Sequence, residues 1–222
     1  MKAVLTAACS AALLTSVAGA ATVGVDDSSA PWLGFMNVFE LDSNGGAFVF
    51  ASGWGIDDLV TSFDDGANTM TMSPNTVGDP DPFWYQGGGG PGQLGNKSME
   101  ANIYQEVSDG SLSGTTVTFE GTVLANTYTA AHEARLFIRD FSADFSTVNE
   151  IYIDAVDGAF SFSLDTEAGV GRHVQWGLQT KGENVWVTDT SPFGSITLGT
   201  IPAPGSMALL GLGGLVATRR RR

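Results

Sequence analysis

GFMNVFELDSNGGAFVFA, residues 34–51, holds the pattern that decides the fold. Two alternating runs, 34–40 and 47–51, flank Asp42-Ser43-Asn44-Gly45-Gly46. Period-two alternation buries one face of a strand and leaves the other wet. A short Asp/Asn/Gly cluster between two such runs is a hairpin signal. The same signature recurs further out. It is seen at 69–73 (TMTMS), 116–120 (TVTFE), 135–139 (RLFIR), 148–154 (VNEIYID), 159–164 (AFSFSL), 173–179 (HVQWGLQ) and 184–188 (NVWVT). No long segment repeats apolar residues every 3.6 positions, so no helix is expected in the body. Short strands punctuated by Gly, Asp, Asn and Pro predict an all-β fold, an antiparallel β-sandwich of jelly-roll-like type.

Outside this body the composition changes. Residues 1–20 carry one early lysine, an apolar run, and Ala18-Gly19-Ala20. That is the layout of a secretory signal, with small residues at the cut and the cut expected after Ala20. Residues 21–31 read as a loose lead-in, and 21–200 as a single domain. At the other end, Ile201-Pro202-Ala203-Pro204-Gly205 precedes an apolar run over 206–217 and the cluster Arg219, Arg220, Arg221 and Arg222. Twelve apolar-rich residues fall short of the roughly 20 a spanning helix needs. Arginines beyond them suit a cytoplasmic stop. The tail therefore predicts transient membrane contact, with short helical segments confined to the two terminal signals.

Charge excludes some partners. All 24 acidic residues lie between Asp26 and Asp189, where only Lys97, Arg135, Arg139, Arg172 and Lys181 oppose them, a net of −19. Such a surface repels nucleic acid and anionic membrane. Cys9, the only cysteine, lies in the signal segment, so the exported body has no disulfide and no thiol chemistry.

Residues 74–97 (PNTVGDPDPFWYQGGGGPGQLGNK) carry no strand pattern, yet Phe83-Trp84-Tyr85 sits in their middle. Long loops in compact domains tend to be functional or disordered. Three adjacent aromatics either plug an open end of the sandwich or form a ligand platform.

Catalytic chemistry is sparsely supplied, with two histidines, no G-x-S-x-G and no H-E-x-x-H. Aromatic faces with amides and carboxylates around them are the usual means of holding neutral sugars. The candidate ligand-binding residues are Trp84, Tyr85, Trp186, His173 and Gln175. His173 and Gln175 share the polar face of one strand, whose other face carries Trp176 as core; Trp186 shares a face with Asn184 and Thr188. Hard oxygens at Asp42 and Asn44 make a candidate site for a structural calcium, though no complete calcium-loop pattern is present.

Three resemblances follow from these residues. Pro202-Ala203-Pro204, the apolar run and the arginines together resemble the PEP-CTERM sorting signal of Gram-negative bacteria, with Ala203 where Glu is usual. The resemblance implies processing by an exosortase and export to the cell surface or extracellular matrix, often among exopolysaccharide producers. The runs 96–107, 114–119 and 135–140 resemble jelly-roll, galactose-binding-like carbohydrate-binding modules. Glu150-Ile151-Tyr152-Ile153-Asp154 is similar to the E-I-D-x-x-E strand of laminarinase-like hydrolases, with Tyr152 in place of the middle acid. The expectation is an exported, non-catalytic protein that binds glycan or exopolysaccharide. A purely structural matrix protein and a secreted carbohydrate-active enzyme stay open.

Overall fold

The computed structural model describes residues 19–201, and these fold into two facing six-stranded sheets. The strands in chain order are β1 (Ala20–Val23), β2 (Leu33–Glu40), β3 (Phe48–Gly53), β4 (Thr61–Asp64), β5 (Thr69–Met72) and β6 (Lys97–Val107). They continue with β7 (Thr116–Asn126), β8 (His132–Phe141), β9 (Val148–Asp154), β10 (Gly158–Asp165), β11 (His173–Glu183) and β12 (Ile196–Gly199). One sheet runs β3-β2-β6-β11-β8-β9, antiparallel throughout. The other runs β1-β7-β12-β5-β4, with β10 on the free side of β7. The β-sandwich read from the alternation is the fold.

The alternation also chooses the buried face. Met36 and Val38, Met99, Ala101 and Ile103, Val174, Trp176 and Leu178, and Leu136 and Ile138 point inward from the first sheet. Val117, Phe119 and Val123, Met70 and Met72, and Ile196 and Leu198 meet them from the second. Phe119 stacks edge-on against Phe160 and Phe162 at 5.0 and 5.8 Å. Each such ring or branched chain removed from water contributes about 1.5–3 kcal/mol before entropy is counted. The turn at 42–46 forms as read: Asp42–Asn44 makes one 3-10 turn, and Gly45 and Gly46 take φ of 92° and 63°. Only glycine holds that left-handed pair cheaply.

Two local expectations are corrected. Residues 184–188 are not a strand; Val185 makes a single bridge to Thr76, after which the chain turns. The lead-in at 21–31 is not loose at its start, because β1 pairs with β7 over Ala20–Val23, in parallel. Strand β7 is longer than β12, which covers only its 122–126 portion, and β1 fills the remaining edge at 116–119. The two short strands thus lie end to end. Beyond them, Ile201 N–H donates to Val25 O at 2.8 Å, and Asp27 N–H donates to Ile201 O at 2.9 Å. Ala18, Pro202, Pro204 and Arg219 to Arg222, with the expected helical signal segments, lie outside the described residues.

Candidate functional site

On its outer face the β3-β2-β6-β11-β8-β9 sheet carries a groove of about 590 Å³. Its register sets the composition. Residues Glu100, Asn102, Tyr104 and Glu106 of β6 alternate outward, opposite Lys181, Gln179, Gly177 and Gln175 of β11. On the other side of β11, Arg139 faces Gln175 and Phe137 faces Gly177; Glu150 and Tyr152 of β9 follow. Phe35 and Asn37 of β2 form one wall. Phe141, Phe145 and Val148 form part of the opposite one.

Gly177 creates the depression. A β-carbon there would lie 2.1 Å from Ile103 O and 2.9 Å from Tyr104 Cβ, so no side chain fits. Across this gap Arg139 extends over the Phe137 ring, 3.9 Å from its centroid, and its Nη2 donates to Asn102 Oδ1 at 2.9 Å. Gln179 Nε2 donates to the same oxygen at 3.0 Å. Asn102 and Phe137 are fully buried although both face outward. The floor is therefore a satisfied polar layer rather than a loose surface.

The carboxylates are held at defined points. Glu106 accepts from His173 Nδ1 at 2.8 Å and from Gln175 Nε2 at 2.7 Å, one on each oxygen. Glu150 Oε2 accepts from Tyr152 Oη at 2.9 Å, with Arg139 Nε 3.4 Å away. Glu100 Oε1 accepts from Asn37 Nδ2 at 2.7 Å. Burial, followed by the charge of Glu106, pushes the Tyr104 phenol up, and burial does the same for Tyr152. Both rings stay neutral donors at physiological pH.

Phe145 completes the rim from the β8–β9 turn. Its backbone is left-handed, φ 57°, and its ring stacks on His173 at 4.2 Å. Asp144 beside it accepts from Ser142 Oγ, Ser146 Oγ and Ser146 N–H, bonds that lower its carboxyl to about 2.

The five candidate binding residues do not come together. His173 and Gln175 stand at the groove, at the start of β11. Trp186 lies beyond the other end of that strand, more than about 25 Å along at ~3.3 Å per residue. There Trp84, Tyr85 and Trp186 anchor the 74–97 loop. Tyr85 is fully buried; its hydroxyl receives Val77 N–H at 3.1 Å and donates to the carbonyls of Val77 and Val185. Its ring meets Trp186 edge-on at 5.2 Å, and Trp84 meets Phe50 at 6.1 Å. Phe83 sits under Lys97 Nζ at 4.4 Å. Tyr85 thus offers no face to a ligand: its buried hydroxyl serves the backbone of Val77 and Val185 where the loop meets the end of β11. Tyr85 is buried and Trp84 packs against the core, whereas the Phe83 ring stays exposed beside Lys97. Asp42 and Asn44 are exposed on their turn. Among the described residues no three His, Cys, Asp or Glu side chains gather where a metal ion would sit.

Sequence reading missed Tyr104, Glu106, Arg139, Phe141, Phe145 and Tyr152 as one site. Their alternation was visible on each strand, but their meeting depends on the register of β6, β11, β8 and β9.

Residues 200–222 match the PEP-CTERM protein-sorting motif. The motif marks an exported protein that exosortase sorts to the cell envelope or surface. No curated protein and no solved structure is significantly similar to the chain.

Proposed function

We propose that the sandwich is a non-catalytic glycan-binding module, carried to the bacterial surface or matrix by its sorting tail, and that the outer-face groove is its binding site. The observation that carries this reading is the groove's make-up: exposed faces of Phe35 and Phe145 with Tyr104 and Tyr152 around a layer of Asn, Gln and Glu. Ring faces that stack on pyranose, with fixed polar groups between them, are what a sugar chain requires. A sheet face open along its length also accepts a polymer without needing its end.

Hydrolysis is the reading we set aside. It takes a carboxyl free to protonate the leaving oxygen and a second one across the bond. Glu106 has both oxygens engaged by His173 and Gln175, which leaves Glu100, tied to Asn37, and Glu150, tied to Tyr152 and Arg139, as the pair that reading would need.

The test is affinity electrophoresis and calorimetry of the purified full chain with neutral polysaccharides. Saturable binding that weakens about tenfold in Tyr104→Ala, the effect of ~1.4 kcal/mol, with no release of reducing ends, supports the module. Unchanged binding in that variant, or binding lost in Trp84→Ala instead, would move the site to the aromatic loop. Failure to bind any glycan would leave a structural matrix protein.

A further inference from the structure

The groove's charge narrows its ligand. Glu100, Glu106 and Glu150 line it, and Arg139 is the one guanidinium opposing them. That guanidinium is spent internally: it reaches Asn102, Tyr152 and Glu150 and sits over the Phe137 ring. Both Glu106 oxygens are likewise engaged, by His173 and Gln175. Glu100 and Glu150 each have only one oxygen engaged by a described hydrogen bond. Each thus keeps a second oxygen available beside aromatic rings. Carboxylates on both sides of a groove and neutral rings between them suit a cation carried on a sugar ring. The ammonium pairs with a carboxylate, and its neighbouring positive C–H faces meet the ring π-clouds. An acidic sugar would instead meet three lining carboxylates set against one guanidinium and be repelled.

We infer that the groove selects glycans bearing free, protonated amino groups, that is polymers containing de-N-acetylated hexosamine, over neutral and acidic ones. The inference rests on the glycan reading of the same groove. The selecting residues are Glu100 on the β6 side and Glu150 on the β9 side, with Tyr104 and Tyr152 as the rings between. The overall charge of the body, −19, adds a long-range pull on any cation, so the test must separate groove from surface.

The full chain is titrated calorimetrically at pH 6 and low salt with three oligosaccharides of equal length: β-linked glucosamine, its N-acetylated form, and a glucuronate oligomer. The expected result is a Kd for the amine form at least about tenfold below that of the acetylated form, and no binding of the glucuronate. The ratio of the first two falls toward one in the double variant Glu100→Gln, Glu150→Gln. It holds in Asp57→Asn, Asp58→Asn, which removes two exposed charges outside the groove. Glutamine keeps the acceptor oxygens that Asn37 and Tyr152 use, and a thermal melt confirms that the variant folds. Equal affinity for amine and acetylated forms overturns the inference while the glycan reading stands. A ratio untouched by the groove variant, or lowered equally by the surface variant, overturns it as well, because general charge is then the cause. If none of the three binds, the glycan reading falls first.

Discussion

Arg139 reaches across an entire strand to Asn102. Its Nη2 lies 2.9 Å from Asn102 Oδ1, with β11 running between their strands and Gly177 at the crossing. The arrangement gives the groove a rigid floor, and it makes one backbone atom's surroundings decide the fate of a whole face.

Gly177→Ala should therefore be costly. Its β-carbon meets Ile103 O at 2.1 Å, and backbone cannot move aside as a side chain does. A loss of about 1–3 kcal/mol is expected, read as a drop in Tm, together with weakened glycan binding. An unchanged Tm would mean that the sheet yields at β11.

The buried pair Arg172–Asp140 should matter more. Nε lies 2.7 Å from Asp140 Oδ1, and Glu167 N–H occupies the other oxygen at 2.7 Å; Asp140 is fully buried. That hydrogen bond raises the guanidinium further above its ordinary value. Asp140→Ala leaves the buried guanidinium with only the exposed Glu167 carboxylate, 3.1 Å from Nη1, as an ion-pair partner among the described residues, and should cost up to about 3–5 kcal/mol. The double replacement Asp140→Leu, Arg172→Met should cost less than the single one, by urea unfolding.

Tyr85→Phe removes a hydroxyl that serves Val77 and Val185. Unsatisfied buried groups cost about 1–3 kcal/mol. The expected outcome is a modest fall in Tm with faster proteolytic cleavage within 74–97, while glycan binding at the groove stays as it was.

His132 should give the fold a dependence on mild acid. Burial depresses its imidazole, whose Nε2 donates to Glu183 O at 3.0 Å while Nδ1 is buried without a partner. The unfolded ring titrates near ~6.5. Below that value the unfolded chain binds the extra proton first, so stability is lost as pH falls from about 6.5 toward the lower folded value. Glu183, whose carboxyl burial pushes up, works in the opposite direction at lower pH. The measurement is the difference in Tm between the native chain and His132→Phe from pH 8 to pH 5; it should shrink on acidification.

Asp144→Ala should loosen the groove's rim. Three donors hold the turn that sets Phe145 on His173. Glycan affinity should fall severalfold with little change in Tm. Since the Asp144 carboxyl sits at about 2, the turn should keep its bonds across pH 4–8 and lose them only as pH falls through that value.

Strands were legible because alternation is local: GFMNVFE or TVTFE states which face is buried without reference to any neighbour. The same logic misled at 184–188. There Asn184 and Val185 are both buried, Trp186 is half-buried beside the 74–97 loop, and Val187 is exposed, so the alternating sequence is not matched by alternating burial. The parallel pairing of Ala20–Val23 could not be read, since it depends on β12 stopping short along β7. His173 and Gln175 were rightly placed on a polar face, but Glu106 became their partner only through register. Gly177 gave no signal at all, because its role is to leave space beside Tyr104.

Ile201 gives the molecule a mechanical character. It is joined to Val25 and Asp27, and the strand leading to it holds only four residues on each neighbour. Force applied to the chain beyond Ile201 is borne first by that short seam. The eleven-residue strands β6 and β11, which carry the groove, feel it only afterwards. Under shear the seam is expected to part first, while the sheet that carries the groove keeps its shape.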